Sequence, residues 1–171
     1  MALTLFDASV PVFRQGLTAL SGTLDKAVAH CEARKIDPAV LLNDRLYPDM
    51  LPFTFQVTSV INHSSCAVRR LMGGKPERPG GMTTFEALQA GVAAALADLE
   101  TVTPADLEGA ESREILFPTP RGDMRFSGQG YLLSFALPNY YFHAAIAFAI
   151  LRHDGVEIGK RDFMGQAQQL A

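Results

Sequence analysis

The stretch Tyr131–Gly155, YLLSFALPNYYFHAAIAFAILRHDG, is the most apolar run in the chain and carries His143 in its middle. Its length suits about six or seven helical turns, and Gly155 supplies a stop. The expectation is a central helix with the other helices packed around it as a small bundle. The run approaches the length of a membrane span. Pro138, Asn139 and His143 interrupt it, however, and the chain around it reads as soluble. A buried core helix is therefore expected, with no membrane partner.

The full length, 171 residues, suits one domain over 1–171 that can bury a proper core. Net charge is −3, from 15 basic and 18 acidic side chains. That balance argues against a nucleic-acid partner, which calls for a basic surplus or stripe. The tight basic pairs, Arg69–Arg70 and Lys160–Arg161, read as solvated faces. Cys31 and Cys66 lie far apart in helical patterns and read as reduced, partly buried thiols. The N-terminus has no basic leader region and carries Asp7, so no signal peptide is expected and the location is read as cytoplasmic.

Outward from the central run, Leu3–Ala33 reads as the first helix, with Leu17, Leu20, Leu24, Ala27 and Val28 at helical spacing. Pro11 marks a kink or the true start, where Asp7 or Ser9 could cap. Asp37-Pro38 opens a short helix. The second long helix is expected from about Asp49 to Met72, with Pro52 in its first turn and Gly73–Gly74 as its stop. On a helical wheel His63 sits at the shoulder of its apolar stripe, near Gln56 and Ala67. Gly73–Gly81 is an exposed loop, and Thr83–Glu86 opens a third helix running to about Leu99. Ile115–Pro118 with Met124–Ser127 reads as a small β-hairpin that must lie on the bundle. The last helix follows from Ser127–Gly130, and the tail after Gly155 folds back or trails off.

Asn139 and His143 are four apart, so they neighbour one another on one helix face, flanked by the small residues Ala136 and Ala147. His63 lies mid-helix and faces the seam. Each histidine alone reads as a hydrogen-bonded core residue. Together, one on each of two long helices, they match the way bundles build metal sites from facing helices, and the rings are expected to converge. His153 is about 15 Å of helix beyond His143, too far to share a small site. It reads as a partner of the helix C-terminus, and His30 as a surface residue. Cys66 could pair with His63 as a nucleophile, although the wheel turns it away. Tyr140 and Tyr141 flank the site, to donate hydrogen bonds or to pack. There is no HExxH, CxxC, GxSxG or phosphate loop.

The segments ASVPVF, EARKIDPAVLL, RLYPDMLPFTFQV and TTFEALQA, and the phrase FSGQGYLLSFALPNYYFHAAIAFAILRHDGVEIGKRDFMG from Phe126 to Gly165, together resemble a bacterial family known only as a domain of unknown function. It lies within the DinB/YfiT-like superfamily of proposed metalloenzymes. The resemblance implies an all-α, up-down-down-up four-helix bundle, here with the small β-hairpin before the last helix. It also implies a homodimer and a divalent metal (Zn, Ni or Mn) between helices. In metal-binding members three histidines serve, one on the second helix and two, four apart, on the last. His63 resembles the first and His143 the second of the last pair, but Asn139 stands where the other histidine would be. An amide oxygen is the weaker ligand, so the site binds metal weakly, calls on another group such as Asp49, or holds no metal. The residues expected around it are Asp49, Tyr140 and Gln56.

Three readings follow. The first is a metal-dependent enzyme of thiol transfer or hydrolysis, with His63, His143 and Asn139 holding the ion. The second is a binding protein without metal, in which the same residues line a pocket for a small molecule. The third is a structural dimer. The missing third histidine favours the second and third; the small residues around Asn139 and His143 favour the first two.

Overall fold

Proline and serine decide where the long helices begin and break. In the computed structural model, which describes residues 3–167 and 169, α1 spans Val10–Arg34 and so starts later than Leu3. Pro11 sits in its first turn, where a missing N–H costs nothing. Neither expected cap forms. Asp7 accepts from the Thr4 backbone at 3.0 Å, and the Ser9 hydroxyl donates back to the Leu5 carbonyl at 2.6 Å. α2 (Pro38–Asn43) is capped as expected, by the Asp37 carboxylate accepting from Ala39 N at 2.9 Å.

The segment expected as one helix from Asp49 to Met72 is two helices, α3 (Phe53–Asn62) and α4 (Ser65–Leu71). Ser64 makes the break. Its hydroxyl donates to the Val60 carbonyl at 2.7 Å, while its N–H reaches the Ile61 carbonyl at 3.2 Å. The side chain thus takes the acceptor that an unbroken helix gives to the backbone. His63 ends α3 and is 6% exposed, inside the core instead of at its shoulder.

α5 (Phe85–Glu100) opens on Thr84, whose hydroxyl accepts from Ala87 N at 3.2 Å. β1 (Glu114–Phe117) and β2 (Met124–Ser127) pair antiparallel, with Ile115 opposite Phe126. α6 (Gly128–Gly130), a π-helical stretch (Tyr131–Ala136) and α7 (Leu137–His153) then form one continuous helix, Gly128–His153. The widened turn lies just before Pro138, whose ring would clash with the carbonyl four residues back in a regular helix. α8 (Lys160–Met164) folds back on α1 through Lys26–Asp162 at 2.6 Å and a bond from Gln15 to the Met164 carbonyl at 2.8 Å.

The fold is mainly helical with one two-stranded sheet. α3 lies along α7, and α1 packs on α5 and α8. Their shared core joins Phe13, Leu17 and Leu24 of α1 to Phe53 and Val57 of α3, Leu88 and Val92 of α5, and Ile150 of α7. The last helix is less buried than its composition leads one to expect. By length and composition it could cross a membrane, and its inner face lies in the core, but Leu133 and Phe142 are 49% and 55% exposed. Among the described residues no helix covers that outer side.

Candidate functional site

The contact between α3 and α7 brings His63 and His143 together. Their ring centroids are 5.8 Å apart and their planes differ by 13°. Gln56, 3% exposed, fixes one of them. Its Nε2 donates to the Leu51 carbonyl at 2.8 Å. A carbonyl only accepts, so the amide oxygen faces the other way and accepts from His143 Nδ1 at 2.8 Å. His143 therefore carries its proton on Nδ1 and keeps a free lone pair on Nε2. His63 Nδ1, by contrast, is buried without a partner among the described residues.

Burial pushes the His63 imidazole down to about 3, helped by His143, Arg70 and Arg78. Burial, then Arg78, pushes His143 down to about 4. Both rings are neutral at physiological pH. Arg70 is 7% exposed; it donates to the Asn62 carbonyl at 3.3 Å and to Asn62 Oδ1 at 3.2 Å, and lies 5.1 Å from the Phe117 ring centre. Arg78 lies 5.1 Å over Phe55. Neither arginine forms an ion pair among the described residues.

The hairpin covers this site. Phe117 of β1 lies nearly parallel to His63 at 6.0 Å, and Phe135 meets His63 edge-on at 5.7 Å. Phe117 and Phe135 are 4.8 Å apart, and Phe126 of β2 backs Phe135 at 5.2 Å. Phe55 flanks His143 at 5.9 Å. One end of the site is walled by aromatic rings; at the other, His143 is only half buried.

Of the residues read from the sequence, His63, His143 and Gln56 converge. Asn139 lies one turn before His143 but turns its amide nitrogen back to the Phe135 carbonyl at 2.7 Å. Ala136 and Ala147, expected to leave room, are fully buried. Asp49 is exposed in the loop before α3, because that helix begins only after Pro52. Tyr140 faces α1, with its ring edge on Phe13 at 5.0 Å and its hydroxyl against Gly16. Burial pushes the Cys66 thiol up, which argues against a thiolate nucleophile beside His63. Arg70, Arg78, Phe55, Phe117 and Phe135 escaped the sequence reading. The Arg69–Arg70 pair carried a signal: about 100° of helix separates neighbours, so when Arg69 faces Asp98, Arg70 turns inward.

A divalent ion requires several anionic or imidazole donors and charge to offset its own. Here two neutral imidazoles and one amide face two guanidinium groups. Among the described residues, no cluster of three His, Cys, Asp or Glu side chains could hold an ion. The donor set does not fit a tightly held metal.

A family model described as Domain of unknown function (DUF1993) matches residues 5–164. In a solved structure, a DinB family member protein from Shewanella denitrificans at 1.83 Å resolution is similar to the chain with 35% identity and a TM-score of 0.88. The likeness covers 98% of this chain and 95% of that one. No curated protein matches.

Proposed function

Because this chain belongs to the DUF1993 family and has a DinB-like fold, we propose that it binds a small organic anion at the His63–His143 pair without a metal. One observation carries this reading: the free Nε2 of His143 stands beside His63 in a site with two arginines and, among the described residues, no carboxylate. Unbalanced positive charge attracts anions, and a neutral imidazole nitrogen accepts from a ligand hydroxyl. Phe55, Phe117 and Phe135 receive the ligand's flat apolar part. Calorimetric titration with salicylate, which offers both a carboxylate and a hydroxyl, tests it. Binding to the wild type, weakened about ten-fold in Arg78→Gln and in His143→Ala, is expected. Indifference of salicylate to both substitutions overturns it.

The donor set weighs against a tightly held ion, but the same free nitrogen lying next to the His63 ring supplies a second reading with a weakly held one. In it a zinc, nickel or manganese ion is held by His63, His143 and Asn139 and supports thiol transfer or hydrolysis. Elemental mass spectrometry on untagged wild type and His143→Ala decides between the two. Near-stoichiometric metal lost in the variant supports the ion; metal-free wild type after incubation with all three ions supports the anion site. We further infer an up-down-down-up bundle that pairs as a homodimer through the outer face of the last helix.

A further inference from the structure

A cavity of ≈ 240 Å³ lies between α1, α7 and α8, outside the histidine site. Val12 and Leu20 of α1, Ala144 and Phe148 of α7, and Phe163 and Met164 of α8 form its apolar walls. Tyr140 also lines it, although the residue is only 2% exposed. Its hydroxyl rests on α1 at Gly16, where even a Cβ would come within 2.0 Å. That hydroxyl bonds to no described residue. Burial pushes the phenol well above its ordinary range, so it remains a protonated donor.

The neighbouring polar groups are already engaged. Thr23 donates to the Ala19 carbonyl at 2.9 Å, and Gln15 Nε2 to Met164 at 2.8 Å. Asp162 holds Lys26 at 2.6 Å and accepts from Gly159 N at 2.8 Å. What remains buried is one uncommitted donor, the Tyr140 hydroxyl, in an apolar, partly aromatic space; Tyr141, which also lines the cavity, is 49% exposed. An anionic ligand would lie beside Asp162, with Lys26 already committed. An apolar cavity of about 150 Å³ takes benzene, so this one has room for a ring with a short substituent.

We propose that this cavity binds a neutral, flat, mainly apolar molecule the size of a substituted benzene, whose single oxygen acceptor takes the Tyr140 hydroxyl hydrogen. The site differs from the histidine pair in place and in ligand charge. Amide-resolved NMR titration of the full chain tests it, with acetophenone, ethylbenzene (no acceptor) and benzoate (charged) as probes. Acetophenone is expected to shift α1, α7 and α8 amides saturably, while benzoate leaves them unmoved. Tyr140→Phe should weaken acetophenone about five-fold, the worth of one neutral hydrogen bond, and leave ethylbenzene unchanged. Ala144→Leu, at a half-buried wall position, should abolish both, and the same spectra report whether each variant is folded. Absence of saturable shifts with acetophenone, or equal weakening of ethylbenzene by Tyr140→Phe, overturns the proposal.

Discussion

Gln56 Oε1 and His143 Nδ1 lie 2.8 Å apart in a bond whose direction is set from outside the two residues. The Leu51 carbonyl claims the Gln56 nitrogen, so only the amide oxygen is left for the ring. His143 is expected as the Nδ1–H tautomer, read by long-range proton–nitrogen NMR at pH 7.5. Gln56→Ala should release the ring to a mixture of tautomers. A wild-type spectrum showing Nε2–H would sink the assignment and, with it, the free lone pair on which anion binding rests.

The two buried imidazoles make the fold sensitive to acid. In the unfolded chain a histidine titrates near about 6.5; in the fold His63 is held at about 3 and His143 at about 4. Between those values the unfolded chain binds more protons, so stability falls as pH drops below about 6.5. From pH 7.5 to 5, His63 accounts for a loss of roughly 2 kcal/mol; half-exposed His143 contributes less, because solvent screens it. Asp154 works the other way. Burial and then Asp44 raise it to about 6, so its contribution fades as pH rises from about 4 towards 6. Urea midpoints at both pH values, compared between wild type and His63→Phe, cancel the Asp154 part. The variant should lose less on acidification; an equal loss would place the acid sensitivity elsewhere.

The features legible in the sequence were those whose signals are local. Asp37 before Pro38 caps α2, Thr84 caps α5, and the hairpin itself follows from short extended runs around a turn, although β1 runs Glu114–Phe117, one residue earlier than the expected Ile115–Pro118. The family phrase and helical spacing were enough to pair His63 with His143. The break at Ser64 was not legible, because it depends on a hydroxyl outcompeting its own N–H for one carbonyl. Tyr140 was read beside the histidines, yet a gap in α1 at Gly16 draws it the other way. That choice, like the docking of Phe117 on His63 and Arg70, is made by residues distant in sequence.

Glycine substitutions separate a yielding clash from an unyielding one. A Cβ at Gly16 meets the Tyr140 hydroxyl at 2.0 Å; at Gly128 it meets the Ala110 carbonyl oxygen at 1.8 Å. Gly16→Ala should cost about 1–3 kcal/mol by overpacking, and Tyr140→Phe should recover most of it in the double variant. Gly128→Ala strikes backbone that cannot swing aside, and should cost more than about 3 kcal/mol. Denaturant melts of wild type, Gly16→Ala, Tyr140→Phe, the double variant and Gly128→Ala check this. Additive losses in the Gly16→Ala/Tyr140→Phe double variant would mean that the hydroxyl does not sit where Gly16 leaves room.

The last helix carries no charged side chain from Gly128 to Leu151. A helix apolar all round is normally covered on every side, yet here α3, α1 and α8 cover only part of it and leave Leu133 and Phe142 half exposed. The proposed homodimer would cover it with a second copy of the same face about a two-fold axis, without any new surface having to evolve. Light scattering at micromolar concentration should give about twice the 18.5 kDa of one chain. Leu133→Glu and Phe142→Glu place charge at the centre of the joined faces and should each return the monomer with an unchanged far-ultraviolet spectrum. A wild-type monomer would refute the homodimer, and a dimer indifferent to both substitutions would move the interface to another face.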